Sequence, residues 1–398
     1  MNVLHLPSWY PDLRDTRLDG VFFREFAVGL AAHHPDCTVH VASWGHGDRE
    51  LSSATLRTWL RRPVLAPLAL PPRRVLAPNL IEHREPAWTW RYDVARGNVE
   101  GVTAAMRRLL ARLRGEGVRV DLMHAQVAFP AGRVAMTLSA ETGIPFVLTE
   151  HMGPFPFVAF RRGERVSDDI LAPIRAARRV WAVSRALADD VQRLTGVRPD
   201  VVPNAVDGDF FVPGPVRPGR PSRFVCIGAL VPAKGQEDLL HAFAQAGLGP
   251  EARLCLMGSG PSEAALRALA ERLGIAARVE WRAARGREAV REVLRANDVL
   301  VSASRHESFG LTLVEALACA RPVIATRCGG PEDIVRPEDG VLVPVGDVAA
   351  LAAAIGAVAR GERGFDPGAL RRGFEERFSM PVVTGRIVRE YRAVIGGA

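Results

Sequence analysis

The chain has 398 residues, of which 48% are hydrophobic and 24% are charged, and its formal net charge is +8. This length predicts two domains, and the composition is that of a soluble globular protein, which excludes a disordered, fibrous or disulfide-stapled chain. Five cysteines without a CxxC pair argue against a metal cluster and suit a cytoplasmic protein. No apolar run approaches the roughly 20 residues that span a bilayer, and Pro7 interrupts the first one, so we expect a strand there rather than a signal peptide.

The positive charge is concentrated in the first half of the chain. Residues 1–205 carry 27 arginines against 21 acidic residues, whereas the remainder carries 25 basic and 23 acidic residues. Such a surplus suits an anionic partner, either a membrane surface or a phosphorylated substrate, and an ordinary solvated surface is the alternative. We expect no nucleic-acid partner, because zinc-finger spacing and an RNP-like aromatic motif are both lacking. Of the 52 basic residues only Lys234 is a lysine, which suggests that arginine cannot replace it.

Short β-branched runs alternate with helical patterns along the whole chain, which predicts parallel sheets covered by helices on both faces. In the first half the predicted strands and helices, in chain order, are 2–6, helix 21–34, 38–43, helix 98–114, 120–125, helix 131–142, 145–150, 179–184, helix 185–195 and 199–203. In the second half they are 223–228, helix 236–246, 252–258, helix 261–273, 277–281, helix 286–296, 298–304, helix 311–319, 321–327 and helices 368–378 and 380–395.

A proline-rich stretch separates the two halves. Six prolines fall within 199–221, and neither a helix nor a central strand tolerates that density. The sequence therefore predicts two doubly wound α/β domains with a cleft between them. We expect a first domain over 1–204, a second over 205–378, and a C-terminal helix over 379–398 that packs back on the first domain.

The strongest functional signal is SRHESFGLTLVEALACARPVIATRCGG, residues 304–330. Glu307 follows a buried strand, and Glu315 lies one turn inside the next helix. The turn 309–312 between them presents backbone N–H groups at a helix N-terminus, which suits phosphate oxygens. Carboxylates accept hydrogen bonds from hydroxyl groups, so the pair suits the ribose and the sugar of a sugar nucleotide. The alternative is a loop charge and a helix-surface glutamate that have this spacing by chance.

The ESFGLTLVEA context resembles the Glu-x7-Glu motif of the retaining GT-B glycosyltransferases of family 4. Further stretches resemble motifs of that family in the same order, namely HAQVAFPAG (124–132), LTEHMG (148–153), WAVSRALADDV (181–191), DVVPNAVD (200–207), CIGALVPAKGQEDLLHAF (226–243) and LMGSGP (256–261). The resemblance covers nearly the whole chain and implies the GT-B architecture of two Rossmann-like domains facing across a cleft. It further implies transfer of a hexose-type sugar from a nucleotide-diphosphate donor to an acceptor hydroxyl, with retained anomeric configuration and without a metal or cofactor.

Three positions depart from the family pattern. Ala229 follows the glycine of the phosphate loop, where the family often has arginine, and Ala205 and Ala283 stand where glycine is usual. These departures put the choice of nucleobase in question, and the affinity for the diphosphate as well.

The resemblance implies that His151, Lys234 and Glu307 take part in catalysis. A lone histidine after a strand is more often structural, but the family match implies that His151 orients a sugar hydroxyl and supports charge at the anomeric centre. Lys234 offers the diphosphate a compact point charge, and Glu307 positions the donor rather than acting as a nucleophile. His124 matches a weaker motif and is interpreted as structural. The expected donor-binding residues are Gly20, Gly228, Lys234, Glu307, Phe309, Gly310, Leu311, Thr312 and Glu315, with Arg282 and Ala283 as base pocket.

One of these assignments and one further motif have a second interpretation. Gly20 could let backbone approach a ligand, or it could simply begin a helix. The DGD sequence at 207–209 is similar to a metal-binding DxD, but it lies in the proline-rich linker, and Lys234 with a helix N-terminus can replace Mg²⁺ at a diphosphate. We therefore expect no metal site.

The acceptor is suggested only by the stretch Thr55–Pro78, because no acidic residue occurs between Glu50 and Glu82. Arginines interleaved with Trp59 and leucines suit an anionic bilayer or a lipid-linked acceptor, and the equal alternative is an ordinary basic loop or one folded over the first domain. The residues concerned are Arg57, Trp59, Arg61, Arg62, Arg73 and Arg74. A polysaccharide is the other acceptor that we consider, and we expect a cytoplasmic protein with a peripheral location at the inner face of the membrane. The functional alternatives are a sugar-nucleotide 2-epimerase and a homologue that only binds the nucleotide sugar.

Overall fold

The computed structural model describes residues 1–11, 20–44, 50–51, 73–163, 165–215, 217, 219–283 and 286–397. The chain divides into two compact units. The first consists of Met1–Val183, Leu187–Val202 and Val383–Ala398, and the second of Ser184–Ala186 and Pro203–Val382.

The first unit is built on an eight-stranded sheet. Its strands are β1 (Asn2–Pro7), β2 (Thr38–Ser43), β3 (Arg73–Ala77), β4 (Leu80–Arg84), β5 (Leu122–Gln126), β6 (Phe146–Glu150), β7 (Arg179–Ala182) and β8 (Asp200–Val201). They lie in the order β8-β7-β6-β5-β1-β2-β4-β3, and only the pair β3 and β4 is antiparallel. The strand order reverses direction between β1 and β5, which is where ligands bind in open sheets of this kind.

The helices of the first unit cover this sheet. They are α1 (Val21–His33), α2 (Val99–Gly115), α3 (Arg133–Thr142), α4 (Asp168–Ala176) and α5 (Arg185–Thr195). Two short ladders lie outside the sheet, one parallel between Glu50–Leu51 and Thr89–Trp90, the other antiparallel between Arg161–Arg162 and Arg165–Val166. α4 begins where Ser167 Oγ accepts a hydrogen bond from the N–H of Asp169, a helix start that the sequence patterns did not predict.

The second unit is built on a six-stranded sheet whose strands are all parallel. Its strands are β9 (Arg223–Ile227), β10 (Arg253–Met257), β11 (Val279–Arg282), β12 (Val299–Ser302), β13 (Val323–Thr326) and β14 (Gly340–Val343). The order β11-β10-β9-β12-β13-β14 is the 3-2-1-4-5-6 order of the Rossmann fold. Ligands of such sheets bind at the carboxyl ends of the strands where the order reverses, here between β9 and β12.

The helices of the second unit pack on both faces of that sheet. They are α6 (Gln236–Gln245), α7 (Glu263–Arg272), α8 (Gly286–Ala296), α9 (Leu311–Ala318), α10 (Pro331–Ile334), α11 (Val348–Ala359) and α12 (Pro367–Phe378). The core contains Phe224 of β9, Phe243 of α6 and Ile355 of α11, all fully buried. The predicted doubly wound α/β fold is therefore confirmed.

A last helix, α13 (Met380–Gly396), follows α12 after Ser379. Its residues from Val383 onward belong to the first unit, where the fully buried Tyr391 contacts His5 and His124. Over the described part of the chain, no helix combines the length and the apolar character needed to cross a bilayer.

Candidate active site

Lys234 and Glu307 meet at the carboxyl ends of β9 and β12. Lys234 ends the short turn Pro232–Lys234 between β9 and α6, and Glu307 lies in the loop between β12 and α9. The ammonium Nζ of Lys234 donates to Glu307 Oε1 at 2.5 Å. Their side chains are 31% and 18% exposed, so a ligand can still reach both charges. Two residues predicted from separate motifs thus form one ion pair at the point where the strand order reverses.

The loops that carry this pair are braced against each other. Gly235 has a φ of +63°, and a Cβ there would lie 1.9 Å from the carbonyl oxygen of Ala303, so only glycine fits. The backbone N–H of Arg305 donates to the carbonyl of Ala233 at 2.8 Å. Ser304 Oγ donates to Glu307 Oε1 at 2.8 Å, which gives that oxygen two donors and fixes the carboxylate. Ser304 was not identified from the sequence.

The loop after β9 is clamped by the glycine turn after β10. A Cβ at Gly258 would lie 1.9 Å from the carbonyl oxygen of Gly228, and one at Gly260 would lie 2.3 Å from that of Leu230. Gln236, which is 2% exposed, donates through Nε2 to the carbonyl of Ala229 at 2.8 Å. By contrast, a Cβ at Gly228 would meet no atom closer than Lys234 Cδ at 3.8 Å. Packing within the protein therefore requires the glycines of the second turn but leaves room at Gly228.

Glu315 is buried rather than displayed on the helix surface. It is 1% exposed, and its Oε1 accepts a hydrogen bond from Arg287. Its Oε2 is also buried and has no hydrogen-bond partner among the described residues. Burial raises the pKa of the Glu315 carboxyl, and the attraction of Arg287 opposes that rise. Leaving a buried polar atom unsatisfied costs about 1–3 kcal/mol, so this oxygen marks a place where a ligand donor would be favourable.

The turn before Glu315 begins α9 at Gly310, whose φ of +106° suits glycine. Leu311 and Thr312 are the first helical residues and are partly exposed, and the first N–H groups of a helix lack partners within it. Phe309 is 3% exposed and packs on Phe378 with ring centroids 6.1 Å apart. Only the backbone of Phe309 can therefore serve a ligand, whereas Leu311 and Thr312 can present N–H groups.

The expected base-pocket residues lie at the end of the edge strand β11. Arg282 and Ala283 are both exposed, and Arg282 Nε donates to Glu280 Oε1 at 2.6 Å. The carbonyl of Arg282 accepts from the N–H of Gly258 at 2.8 Å, so the end of β11 is hydrogen-bonded to the glycine turn that follows β10. Two strands, β10 and β9, separate β11 from β12, the strand that precedes the loop of Glu307.

His151 follows β6 in the first unit and is half-buried. Its ring nitrogen Nε2 lies 2.8 Å from Gln126 Oε1, and its backbone N–H donates to Glu150 Oε1 at 2.9 Å. The rings of Phe22 and Phe23 lie 5.3 and 5.1 Å from its own, centroid to centroid. The histidine is therefore held by a polar neighbour on one side and aromatic rings on another.

Glu150 is a buried carboxyl that the sequence patterns did not single out. It is fully buried and accepts three backbone N–H groups, from Ala128 at 3.0 Å, His151 at 2.9 Å and Met152 at 2.8 Å. Burial raises the pKa of Glu150 to about 7, although the three N–H donors act in the opposite direction. This side chain therefore holds the backbone that follows β5, at Ala128, to the backbone that follows β6, at His151 and Met152.

Gly20 begins α1 and has a φ of +74°. A Cβ there would lie 2.9 Å from the backbone carbon of Trp9 and 3.0 Å from the nitrogen of Tyr10. Close packing of the protein on itself thus accounts for this glycine. A ligand contact through its N–H remains a proposal.

The basic stretch is only partly described. Arg57, Trp59, Arg61 and Arg62 lie outside the described residues. Arg73 and Arg74 lie on the edge strand β3, where Arg73 is 3.6 Å from Glu116 and Arg74 is 3.9 Å from Glu82. Two arginines that have no acidic neighbour in the sequence therefore have one in the fold.

The DGD sequence of the linker caps a turn. Asp207 Oδ1 accepts the N–H groups of Asp209 at 2.9 Å and of Phe210 at 3.1 Å. Within the described ranges, no three histidine, cysteine or acidic side chains are grouped so that they could hold a metal ion.

Comparison with known proteins identifies the family of this chain. Residues 19–210 match the family described as Glycosyltransferase Family 4, and residues 210–370 match the family described as Glycosyl transferases group 1. The D-inositol 3-phosphate glycosyltransferase of Segniliparus rotundus is 30% identical over 313 residues, which are 71% of this chain and 68% of that protein. The chain therefore belongs to the glycosyltransferases that these two family models describe.

Two further relatives extend this comparison. The D-inositol 3-phosphate glycosyltransferase of Acidothermus cellulolyticus is 33% identical over 295 residues, 65% of this chain and 63% of that protein. The 2-deoxystreptamine N-acetyl-D-glucosaminyltransferase of Streptomyces fradiae is 33% identical over 275 residues, 62% of this chain and 64% of that protein. The chain thus matches slightly less than two thirds of the length of each of these two relatives.

Solved structures confirm the predicted GT-B fold. Sucrose-phosphate synthase from Thermosynechococcus elongatus superposes with a TM-score of 0.75 at 21% identity and covers all of both chains. Anabaena HepE, solved in complex with UDP-glucose, superposes with a TM-score of 0.68 at 18% identity and covers 99% of this chain and 100% of its own.

Proposed function

We propose that this glycosyltransferase moves a hexose-type sugar from a nucleotide-diphosphate donor to an acceptor hydroxyl, with retained anomeric configuration and without a metal. The observation that carries the proposal is the buried, unsatisfied Oε2 of Glu315 beside the start of α9. A carboxylate oxygen can only accept, so a ribose hydroxyl of the donor is a suitable partner for it.

In this proposal Lys234 and the N–H groups at the start of α9 bind the donor diphosphate. The diphosphate is the leaving group, so negative charge grows on its oxygens as the bond to the sugar breaks. The Lys234 ammonium donates to Glu307, and the diphosphate would share or replace that contact. The room left at Gly228 supports the same site, because backbone can approach a phosphate closely there.

Glu307 acts as a positioning group for the hexose. One of its oxygens already accepts from Lys234 and Ser304, which suits a fixed hydrogen-bond acceptor better than a nucleophile. Transfer with retention then breaks the bond from C1 to the phosphate oxygen and forms the bond from C1 to the acceptor oxygen on the same face. The acceptor proton passes to the departing phosphate oxygen, so atoms and charge balance.

The comparisons suggest which substrates to test first. Anabaena HepE was solved with UDP-glucose, so uridine diphosphate sugars are the first donors. The names of two relatives include D-inositol 3-phosphate and 2-deoxystreptamine, so cyclitols are the first class of acceptor. A lipid-linked acceptor is the second class, supported by the arginines of the stretch Thr55–Pro78, and it goes with a cytoplasmic protein that binds the inner face of the membrane.

The deciding experiment incubates the protein with sugar nucleotides in the presence and absence of acceptors. A transferase releases nucleoside diphosphate in an acceptor-dependent reaction, a 2-epimerase changes the donor without acceptor, and a protein that only binds releases nothing. Proton NMR coupling constants of the product give its anomeric configuration, and an inverted product would contradict the proposed route. EDTA should leave turnover unchanged, and a loss that Mg²⁺ restores would contradict a metal-free diphosphate site.

A further inference from the structure

A chain of buried polar side chains lies beneath His151 in the first unit. His5 of β1 and His124 of β5 are paired in register, and both are at most 3% exposed. The hydroxyl of Tyr391, which α13 brings to the same place, lies 2.5 Å from His124 Nδ1 and 3.2 Å from His5 Nε2. A tyrosine near the end of the sequence is thus hydrogen-bonded to two central strands.

Burial favours the neutral form of both of these histidines. Burial lowers the pKa of His5 to about 3 and lowers that of His124 well below its ordinary value. A neutral imidazole has one N–H and one lone pair, so each ring nitrogen needs a different kind of partner. His124 has one for each, because Tyr391 lies at Nδ1 and the hydroxyl of Thr149 lies 2.7 Å from Nε2.

Gln126 connects this chain to His151. It lies two residues after His124 on the same strand, is 3% exposed, and its amide nitrogen is 3.4 and 3.3 Å from the two ring nitrogens of His124. An amide N–H that faces an aromatic ring is weakly attracted to it, which favours this orientation of the amide. The amide oxygen then lies 2.8 Å from His151 Nε2.

We propose that Gln126 is a positioning residue that holds His151 protonated on Nε2, and that Tyr391 orients Gln126 through His124. An amide oxygen can only accept, so the nitrogen that faces it must carry the proton, and the neutral ring then has its lone pair on Nδ1. The tautomer is a property of the fold, whereas its effect on catalysis rests on the proposed function.

The neutral amide also has an electrostatic consequence. A carboxylate at this position would make the same hydrogen bond but would favour the imidazolium ion, as the aspartate of a catalytic triad does. The proposed transition state carries positive charge at the anomeric carbon, and a neutral histidine does not oppose that charge. Gln126 thus fixes the orientation of His151 without placing a negative charge beside it.

The test measures the tautomer of His151 directly, by ¹⁵N NMR of protein labelled at histidine, and assigns its signal with His151→Asn. The wild type should show the Nε2-protonated tautomer. Gln126→Met, which keeps the size but not the amide, should mix the two tautomers and lower kcat about tenfold with the donor KM within about twofold. Gln126→Glu should increase the imidazolium fraction at the assay pH and also lower kcat.

Tyr391→Phe should act in the same direction as Gln126→Met and more weakly, because it removes only the hydroxyl that holds His124. Gln245→Met, at an exposed position of the second unit, is the matched control and should change nothing. Thr103→Val removes another buried hydroxyl, which bonds within α2, and controls for a general loss of stability.

A wild-type His151 protonated on Nδ1, or an unchanged tautomer in Gln126→Met, would overturn the proposal. If wild type lacks transferase activity while the tautomer responds to Gln126 as expected, the positioning is correct and the proposed function is wrong.

Discussion

Lys234 is the only lysine of the chain, and its ammonium lies 2.5 Å from Glu307 Oε1. We expect Lys234→Ala to lower kcat/KM about 100- to 1,000-fold, because the departing diphosphate loses its main cation. Lys234→Arg should restore only part of this, since a planar guanidinium cannot occupy the position of a compact ammonium. Steady-state kinetics with UDP-glucose measure both, and Arg267→Ala on α7 is the control. Wild-type turnover in Lys234→Ala would remove this residue from the site.

Glu315 and Glu307 should affect different kinetic constants. Glu315→Gln should weaken donor binding about tenfold, roughly 1.4 kcal/mol, because a buried acceptor for the ribose is altered. Glu307→Gln should lower kcat more than it raises the donor KM, because its carboxylate orients the reacting sugar. Titration calorimetry with the nucleotide and steady-state kinetics separate the two effects, with Glu271→Gln on α7 as control. Equal wild-type values in both variants would contradict the assignment.

The residues that the sequence predicted and those that it missed differ in where their partners lie. Glu307 and Glu315 belong to one contiguous motif, so their spacing was readable. Gln126 was not identified, because its partner His151 lies 25 residues away and the two meet only when β5 and β6 pair. The unsatisfied oxygen of Glu315 was equally invisible, since only the fold shows that Arg287 satisfies one oxygen and not the other.

At the scale of elements, Glu150 joins the loops that follow β5 and β6. Burial raises the pKa of its carboxyl from 4.5 to about 7, so the folded state favours the protonated form. Its contribution to stability is therefore complete below about pH 4.5 and is lost as the pH rises to about 7. We expect the free energy of unfolding of wild type, relative to Glu150→Gln, to fall by up to about 3 kcal/mol across this window. Urea unfolding at a series of pH values tests this, and a constant difference would contradict the pKa shift.

Two strands of the first unit, β3 and β4, were not predicted from the sequence, and the structure shows why. β4 has the sequence LIEHR and is buried from Leu80 to His83. Because Glu82 and His83 are buried together with the apolar residues, the sequence lacks the apolar pattern by which a strand is predicted. β3 is an exposed edge strand of the sequence RRVLA, which lacks a regular alternation. The parallel strands at the centre of each sheet were predicted correctly, because most of them are short runs of mainly apolar residues.

For the whole molecule, we expect the uneven charge to favour binding to an anionic membrane. Each arginine near such a surface contributes about 1 kcal/mol, and the attraction weakens at high salt. Arg73 and Arg74 have carboxylate neighbours, so we expect them to contribute little to membrane binding. We therefore test the arginines at positions 57, 61 and 62, which lie outside the described residues. We expect wild type to sediment with anionic liposomes at low salt and a variant with glutamate at these three positions to remain in solution.

The control for that experiment has the same change in net charge on the second unit. It carries glutamate at Arg267, Arg272 and Arg360, which are all exposed. If this control also fails to sediment, net charge rather than the basic stretch explains binding. If wild type stays in solution, a soluble acceptor is preferred.

The glycines in and around the loop after β9 differ in whether they can be replaced by another residue. Gly235, Gly258 and Gly260 each face a backbone carbonyl at 1.9 to 2.3 Å from where a Cβ would be, so any side chain there would displace main chain. Gly228 faces only the flexible stem of Lys234 at 3.8 Å. A library aimed at new sugar nucleotides can therefore diversify position 228 together with Ala229, and should hold the other three glycines fixed, since their replacement would yield misfolded protein whatever the donor.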